Sequence, residues 1–248
     1  MSTAYLERFE RSAARPRRMS LTPDHVARCF RVEPDPGPNS KPATVTDADR
    51  EALARTLLGD RDRRRIWIFA YGSLIWKPEF EVAEARRATA NGWHREYGLV
   101  MRRWRATEGA PGLMLALQPG GRCAGIAVRP HADEADAAVR MLIKREVGPT
   151  SDLDTMRLIR LRIGDATEEA IVSWAGPKGP GVARRLALPE VARRIALACG
   201  HGGSSAEYLY NTVSHLEALG IRDRNLWSIQ KLAAAEIESW PAQSTKGA

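Results

Sequence analysis

The chain has 248 residues, of which 44% are hydrophobic and 27% are charged, a composition typical of a globular protein. A chain of this length buries a substantial core without disulfide staples. The formal net charge is +8 and the pI is about 9.8, which raises nucleic acid as a partner. Because the 38 basic residues are interspersed with 30 acidic ones and no nucleic-acid motif is present, we expect no nucleic-acid partner, and the charge could equally attract small anionic substrates.

The cysteines and the apolar runs bear on location. Cys29, Cys123 and Cys199 are widely spaced, which favours neither a disulfide framework nor a metal pair and makes a reducing compartment the expected one. No apolar run is long enough to span a bilayer, so we expect no membrane partner. Residues 1–20 carry Arg together with Glu and precede no signal-peptide core, so we predict a cytoplasmic protein.

Residues 1–65 differ from the rest of the chain. Residues 33–42 hold too many prolines for regular structure. Thr22 followed by Pro23 predicts the start of a short helix, and Thr46 predicts the cap of a second helix that runs through Leu57. We therefore predict an N-terminal extension at 1–65 that wraps a main domain at 66–240, followed by a disordered tail at 241–248.

Strand patterns dominate the chain from residue 66 to residue 174. The sequence Pro119-Gly120-Gly121-Arg122 is typical of a hairpin turn between two strands. Mostly hairpin connections predict an α+β fold with a small mixed or antiparallel barrel, closed or nearly closed, on which helices pack. The predicted strands number about six and cover 66–70, 93–101, 112–118, 123–129, 156–163 and 170–174.

The last third of the chain is predicted to be helical. Residues 189–198 form one helix, and Ser204 with Glu207 three residues later fits a capping box that starts the next. Asp223 or Asn225 starts the last helix. No heptad run or internal repeat is present, and the oligomeric state stays open.

The stretch 66–76 combines a buried strand with a sharp turn. β-Branched and aromatic residues at 66–69 predict the strand, and Gly72-Ser73 allows bare backbone to come close to another molecule. A turn held between two buried ends is rigid, so its backbone N–H groups can form a fixed polar cradle. An ordinary strand and turn explain the same residues equally well.

A predicted helix at 132–147 places a carboxylate among apolar residues. Val139 and Leu142 lie on its apolar face, and Glu146 falls on the same face, whereas Lys144 and Arg145 are predicted to point elsewhere. Burial raises the pKa of a carboxyl group, which makes Glu146 a candidate general base. The alternative is a glutamate at a frayed helix end that pairs with an arginine.

Five segments together resemble the ChaC-like gamma-glutamylcyclotransferases, specifically the glutathione-specific branch. The resemblance covers residues 66–238 with the segments in the same order. The segments are YGSLIWKP at 71–78, GWHR at 92–95, Arg105 to Thr107 with Pro111-Gly112, KRE at 144–146, and 203–209 at a helix start. The histidines do not show the spacing that is typical of metal ligands.

The resemblance implies the compact barrel fold of that family and cleavage of glutathione to 5-oxoproline and cysteinylglycine. It implies no metal and no cofactor, because the substrate's own α-amine attacks its γ-amide. Glu146 would serve as general acid and base. The residues implied to bind the substrate are Tyr71, Gly72, Ser73, Leu74 and Arg105, although for Arg105 a structural ion pair explains its presence equally well.

Several positions depart from the family pattern. Ala70 and Ala106 stand where glycine is usual, and tyrosines usual near Asp152 and Val182 are missing. These departures lie where the cysteinylglycine half of the substrate would bind, so the same cyclisation on another γ-glutamyl peptide or amine is the alternative. A non-enzymatic basic binding module that retains the barrel is a further alternative.

Overall fold

The computed structural model describes residues 17–37, 45–148, 150–176 and 186–241, without the side chains of 150–152. The predicted tail lies outside the described residues except for Pro241, and so do residues 1–16, part of the proline-rich segment and the segment at 177–185. No helix among the described residues combines the length and hydropathy needed to cross a bilayer.

Two N-terminal helices begin where the sequence predicts. Helix α1 covers Pro23–Cys29 and helix α2 covers Asp47–Leu58, and their caps Thr22 and Thr46 each form a reciprocal capping box. The backbone N–H of the fully buried Leu21 donates to the Gln230 side chain at 2.8 Å. The segment around α1 therefore packs on the C-terminal helices, while the domain boundary at residue 65 stays a prediction.

Five strands form a closed barrel. Their order is β1-β3-β2-β4-β5, and all neighbours are antiparallel except β1 and β5, which pair in parallel through Trp67 and Ala170. This parallel contact closes the barrel and brings the carboxyl ends of β1 and β5 to the same rim. The strands are β1 Trp67–Ala70, β2 Val82–Met101, β3 Gly112–Pro130, β4 Met156–Ile163 and β5 Ala166–Ser173.

The hairpin predicted at residues 119–122 is wrong. Strand β3 continues through these residues and stays paired with β2, with Trp93 opposite Pro119. A register shift between Asn91 and Trp93 faces them, and Gly92, Gly120 and Gly121 all have positive φ. The glycines therefore accommodate a bulge in two long strands instead of a chain reversal, which reduces the predicted six strands to five.

Apolar side chains fill the barrel, and helices cover its outer face. Phe69, Leu117 and Leu161 are fully buried in the interior cluster. Ile68 and Ile126 face outward and belong to a second cluster that includes the helices. The remaining elements are α3 Ala135–Glu146, α4 Leu188–Leu197, a small ribbon of β6 Cys199–Gly200 and β7 Gly203–Ser204, α5 Ser205–Ala218 and α6 Arg224–Glu238.

Gly125 on β3 is required by a close approach to β1. A Cβ atom at this position would lie 2.5 Å from the Ala70 carbonyl oxygen and 2.8 Å from the Phe69 ring.

We expect Gly125→Ala to lower the free energy of unfolding by about 1–3 kcal/mol, because backbone and a buried ring must move. Urea denaturation measures the effect. Gly109→Ala is the control, since a Cβ there meets nothing within 4 Å, and equal losses in both variants would contradict the prediction.

Candidate active site

The loop after β1 is a tight turn anchored at its start. Residues Ser73–Ile75 form a single turn of 3-10 helix, in which the Ile75 N–H donates to the Gly72 carbonyl at 2.9 Å. The Tyr71 carbonyl accepts a 2.7 Å hydrogen bond from Arg95, whose side chain is 2% exposed. Arg95 also pairs with Asp223, the cap of α6, so the loop is tied to the helical layer.

Gly72 gives the loop its close approach to α5. A Cβ atom at Gly72 would lie 2.8 Å from the Tyr208 hydroxyl. Burial is the main reason that the pKa of Tyr208 is raised to about 12, with the charge of Glu146 adding to it and hydrogen bonds with Ser73 opposing it. The sequence predicts that glycine at position 72 lets backbone come close to another molecule. The structure shows that the close neighbour includes the Tyr208 hydroxyl of the same chain.

Glu146 is the last residue of α3 and lies at the barrel rim. Its side chain is 26% exposed, so the group borders solvent while most of its surroundings are protein. Desolvation raises the pKa of Glu146, and the nearby Glu79 carboxylate raises it further. Arg145 and a side-chain hydrogen bond with Ser173 oppose that shift without cancelling it.

The structure brings the loop and Glu146 together through Ser173, the last residue of β5. The Tyr71 hydroxyl donates to the Ser173 carbonyl at 2.9 Å, and the Ser173 side chain bonds to Glu146. Burial raises the pKa of Tyr71 well above its usual value, and the Glu146 charge is the next cause. Tyr71 and Tyr208 therefore stay protonated at neutral pH; Tyr71 donates its hydrogen bond to the Ser173 carbonyl, and the Tyr208 hydroxyl can donate beside the carboxylate.

The prediction that Arg145 points away from the apolar face is wrong. Lys144 is exposed as predicted, but Arg145 Nη2 donates to the Ser73 hydroxyl at 2.8 Å, and Arg145 Nε lies 3.1 Å from Glu146 Oε1. Helical periodicity places the Cβ atom, whereas the tip of a long side chain can fold back along the helix end.

Sequence reasoning also missed Ser173, Glu79 and Tyr208 as members of this cluster. No local pattern distinguishes Ser173 or Glu79, because they reach Glu146 from the end of β5 and from the segment before β2. Tyr208 lies within the segment 203–209 that carries the family resemblance, so its motif was a usable signal.

Arg105 lies beside the cluster in an ion pair. Its Nη1 donates to the Ser204 carbonyl at 2.8 Å and to Glu207 at 2.5 Å, and its guanidinium carbon lies 5.9 Å from the Tyr208 ring centre. Ser204 caps α5 as predicted, because its hydroxyl accepts from the Glu207 N–H at 3.1 Å. The Glu207 carboxylate binds Arg105 in place of completing the capping box. A role of Arg105 toward a substrate carboxylate stays a prediction.

Among the residues that the structure describes, no three His, Cys, Asp or Glu side chains are placed to hold a metal ion together. Tyrosine and serine hydroxyls, backbone N–H groups, the Arg145 guanidinium and the carboxylates of Glu146 and Glu79 make up the site. These groups can bind a small zwitterionic substrate, polarise a carbonyl and move one proton.

The contact between Gly72 and Tyr208 can be tested by a double-mutant cycle. We expect Gly72→Ala to lower the free energy of unfolding by about 1–3 kcal/mol, since the added methyl group overlaps a buried hydroxyl. Combining it with Tyr208→Phe removes that hydroxyl and should recover part of the loss. Thermal unfolding of the four proteins gives the coupling energy, and strictly additive effects would show that the two groups do not clash.

Known proteins resemble this chain across the barrel and its helices. The family model described as ChaC-like protein matches residues 66–236. The glutathione-specific gamma-glutamylcyclotransferase of Escherichia coli K12 is 36% identical over 187 residues, which span 74% of this chain and 80% of that protein. The human glutathione-specific gamma-glutamylcyclotransferase 1 is 25% identical over 186 residues, 74% of this chain and 82% of its own.

A solved structure supports the fold. The crystal structure of the yeast gamma-glutamylcyclotransferase specific to glutathione superposes with a TM-score of 0.60 at 18% identity, covering 69% of this chain and 96% of that chain. The predicted α+β barrel with packed helices is thereby confirmed at the level of fold. With the match of the family model over 66–236, the chain belongs to the ChaC-like family.

Proposed function

We propose that this protein is a cytoplasmic glutathione-specific gamma-glutamylcyclotransferase that acts without metal or cofactor and converts glutathione to 5-oxoproline and cysteinylglycine. The observation that carries the proposal is a carboxyl group of raised pKa, Glu146, linked through Ser173 to the loop at Tyr71. The names of the E. coli and human relatives support glutathione as the substrate.

The proposed reaction needs no nucleophile from the protein. The α-amine of the γ-glutamyl group attacks its own γ-carbonyl carbon, which forms the C–N bond of the five-membered lactam. The amide C–N bond to cysteinylglycine then breaks. Glu146 takes the proton released by the attacking amine and gives it to the departing amine, so the carboxylate is regenerated in each cycle.

The groups around Glu146 would lower the activation barrier further. Backbone N–H groups of the turn at Ser73 and Leu74 would polarise the γ-carbonyl, whose oxygen gains negative charge in the transition state. The hydroxyls of Tyr71 and Tyr208, kept protonated by their raised pKa values, would hold the substrate in the ring-closing conformation. Holding the folded-back chain is a large share of the rate enhancement for an intramolecular attack.

Replacing the carboxylate should remove turnover and leave the fold intact. We expect Glu146→Gln to lower the rate of 5-oxoproline release by at least about 10²-fold, the scale of general acid–base catalysis. Because the folded-state pKa of Glu146 is raised, its ionised form costs stability above the ordinary glutamate pKa, so the variant should be no less stable at pH 7.

Chromatographic detection of 5-oxoproline with glutathione as substrate measures this effect. Glu134→Gln changes an exposed carboxylate at the other end of α3 and is the control. Undiminished release by Glu146→Gln would rule out this role for Glu146, and no release by the wild-type protein would rule out the proposed function.

Comparing two substrates separates glutathione from other γ-glutamyl compounds. We expect kcat/KM to be larger for glutathione than for γ-glutamylalanine, because the relatives are named for glutathione. The family tyrosines missing near Asp152 and Val182 argue in the other direction, which makes the comparison informative. A larger kcat/KM for γ-glutamylalanine would favour the alternative substrate class.

Salt-sensitive binding to DNA or RNA without 5-oxoproline release would favour a basic binding module.

A further inference from the structure

The Arg145 guanidinium contacts both halves of the candidate site. Its side chain is 19% exposed, and besides Ser73 and Glu146 it donates to the Lys77 carbonyl at 2.6 Å and lies 3.4 Å from Glu79 Oε1. These partners belong to the 3-10 turn, to the segment that leads from the turn to β2, and to the end of α3. One planar group with five N–H donors can serve all of them, which a single ammonium cannot.

The segment that Arg145 holds is in an unfavourable backbone conformation. Glu79 has φ of 64°, in the left-handed region that non-glycine residues rarely adopt. Such a conformation persists where surrounding contacts hold it. Here Arg145 at 3.4 Å and the Lys77 ammonium at 3.6 Å both contact the Glu79 carboxylate.

Among the described residues, three charged groups and the hydroxyls of Tyr71, Tyr208 and Ser173 surround the carboxyl group of Glu146. Arg145 from its own helix pairs with it directly, and Glu79 faces it from the segment before β2, with Lys77 beside Glu79. Tyr71 from the end of β1 and Tyr208 from α5 both respond to its charge. Arg145 is therefore shared between two carboxylates that compete for it.

We propose that Arg145 is a positioning residue. It holds the Ser73 turn, which would bind the substrate, at a fixed distance from the Glu146 carboxylate, which would carry the proton. This inference rests on the proposed function for its catalytic consequence. Its electrostatic consequence is independent of turnover, since the charge of Glu146 must respond to Arg145 and to Glu79 in opposite directions.

The direction in which each variant shifts the titration midpoint of Glu146 follows from the geometry. Removing the guanidinium with Arg145→Met should raise the midpoint of Glu146 titration by about one pH unit, since an adjacent opposite charge is lost. Glu79→Gln should lower it, because a repelling charge is lost and Arg145 is left to Glu146 alone. Arg145→Lys keeps a cation near Glu146, so the midpoint should stay near that of the wild-type protein.

The positioning role is separated from the electrostatic one by Arg145→Lys. A lysine ammonium cannot bind the Ser73 hydroxyl and the Lys77 carbonyl together with both carboxylates, so the loop loses its fixed distance to Glu146. We expect kcat/KM for glutathione to fall at least about 10-fold at the pH optimum, with no displacement of the acid limb of its pH profile.

The experiment combines carboxyl ¹³C NMR titration with kinetics. Protein labelled at glutamate carboxyl carbons is titrated, and the Glu146 signal is identified by its loss in Glu146→Gln. Arg140→Met is the matched control, because Arg140 lies on the same helix in an exposed pair with Glu51. We expect that control to change neither the Glu146 midpoint nor kcat/KM. Circular dichroism checks that every variant is folded. If Arg145→Met unfolds, Glu79→Gln carries the titration and Arg145→Lys carries the kinetics.

Two outcomes would overturn the inference. One is an Arg145→Lys variant with the kcat/KM of the wild-type protein, and the other is a Glu146 midpoint that does not move when Arg145 or Glu79 loses its charge. Absence of 5-oxoproline release by the wild-type protein would reject the proposed function alone. The titration would then still decide whether Arg145 and Glu79 set the charge of Glu146.

Discussion

The partial burial of one carboxyl group is the constraint on which the site depends. Glu146 lies at the barrel rim, where desolvation raises its pKa and the Arg145 guanidinium limits that rise. A carboxylate in water would be too weak a base to accept an amine proton efficiently, and an unpaired buried one would stay protonated. The observed placement lies between these limits, since the group keeps a 26% exposed side chain and one close cation.

The closed barrel makes this placement possible. The parallel pairing of β1 with β5 brings Ser173 next to the loop that starts at Tyr71, and the Tyr71 hydroxyl bonds to the Ser173 carbonyl. The loop start is held from the other side by the buried Arg95. Each functional group thus comes from the end of an element whose body is fixed by an apolar core, which is how a rigid site is built from short segments.

Features that depend on neighbouring residues in the chain were predictable from the sequence. Thr22 and Thr46 cap the helices that they were expected to cap, because a cap needs only the first turn of its own helix, and of the two candidates at the last helix Asp223 is the cap. Helical periodicity likewise placed Glu146 on the core-facing side of α3. The motif order led to the right family, although the motifs themselves said nothing about how their residues touch.

Only the tertiary structure decided the contacts between segments distant in sequence. The glycines at 120 and 121 favour a reversal by themselves, but pairing with a long β2 turns them into a bulge. Arg145 leaves the direction predicted for its helix position because Ser73 and Glu79 offer it partners from another element. Sequence therefore determined the helices, the caps at Thr22, Thr46 and Ser204, and the candidate base. The tertiary structure decided how many strands form and which groups surround that base, since a cross-element contact has no signature in either segment alone.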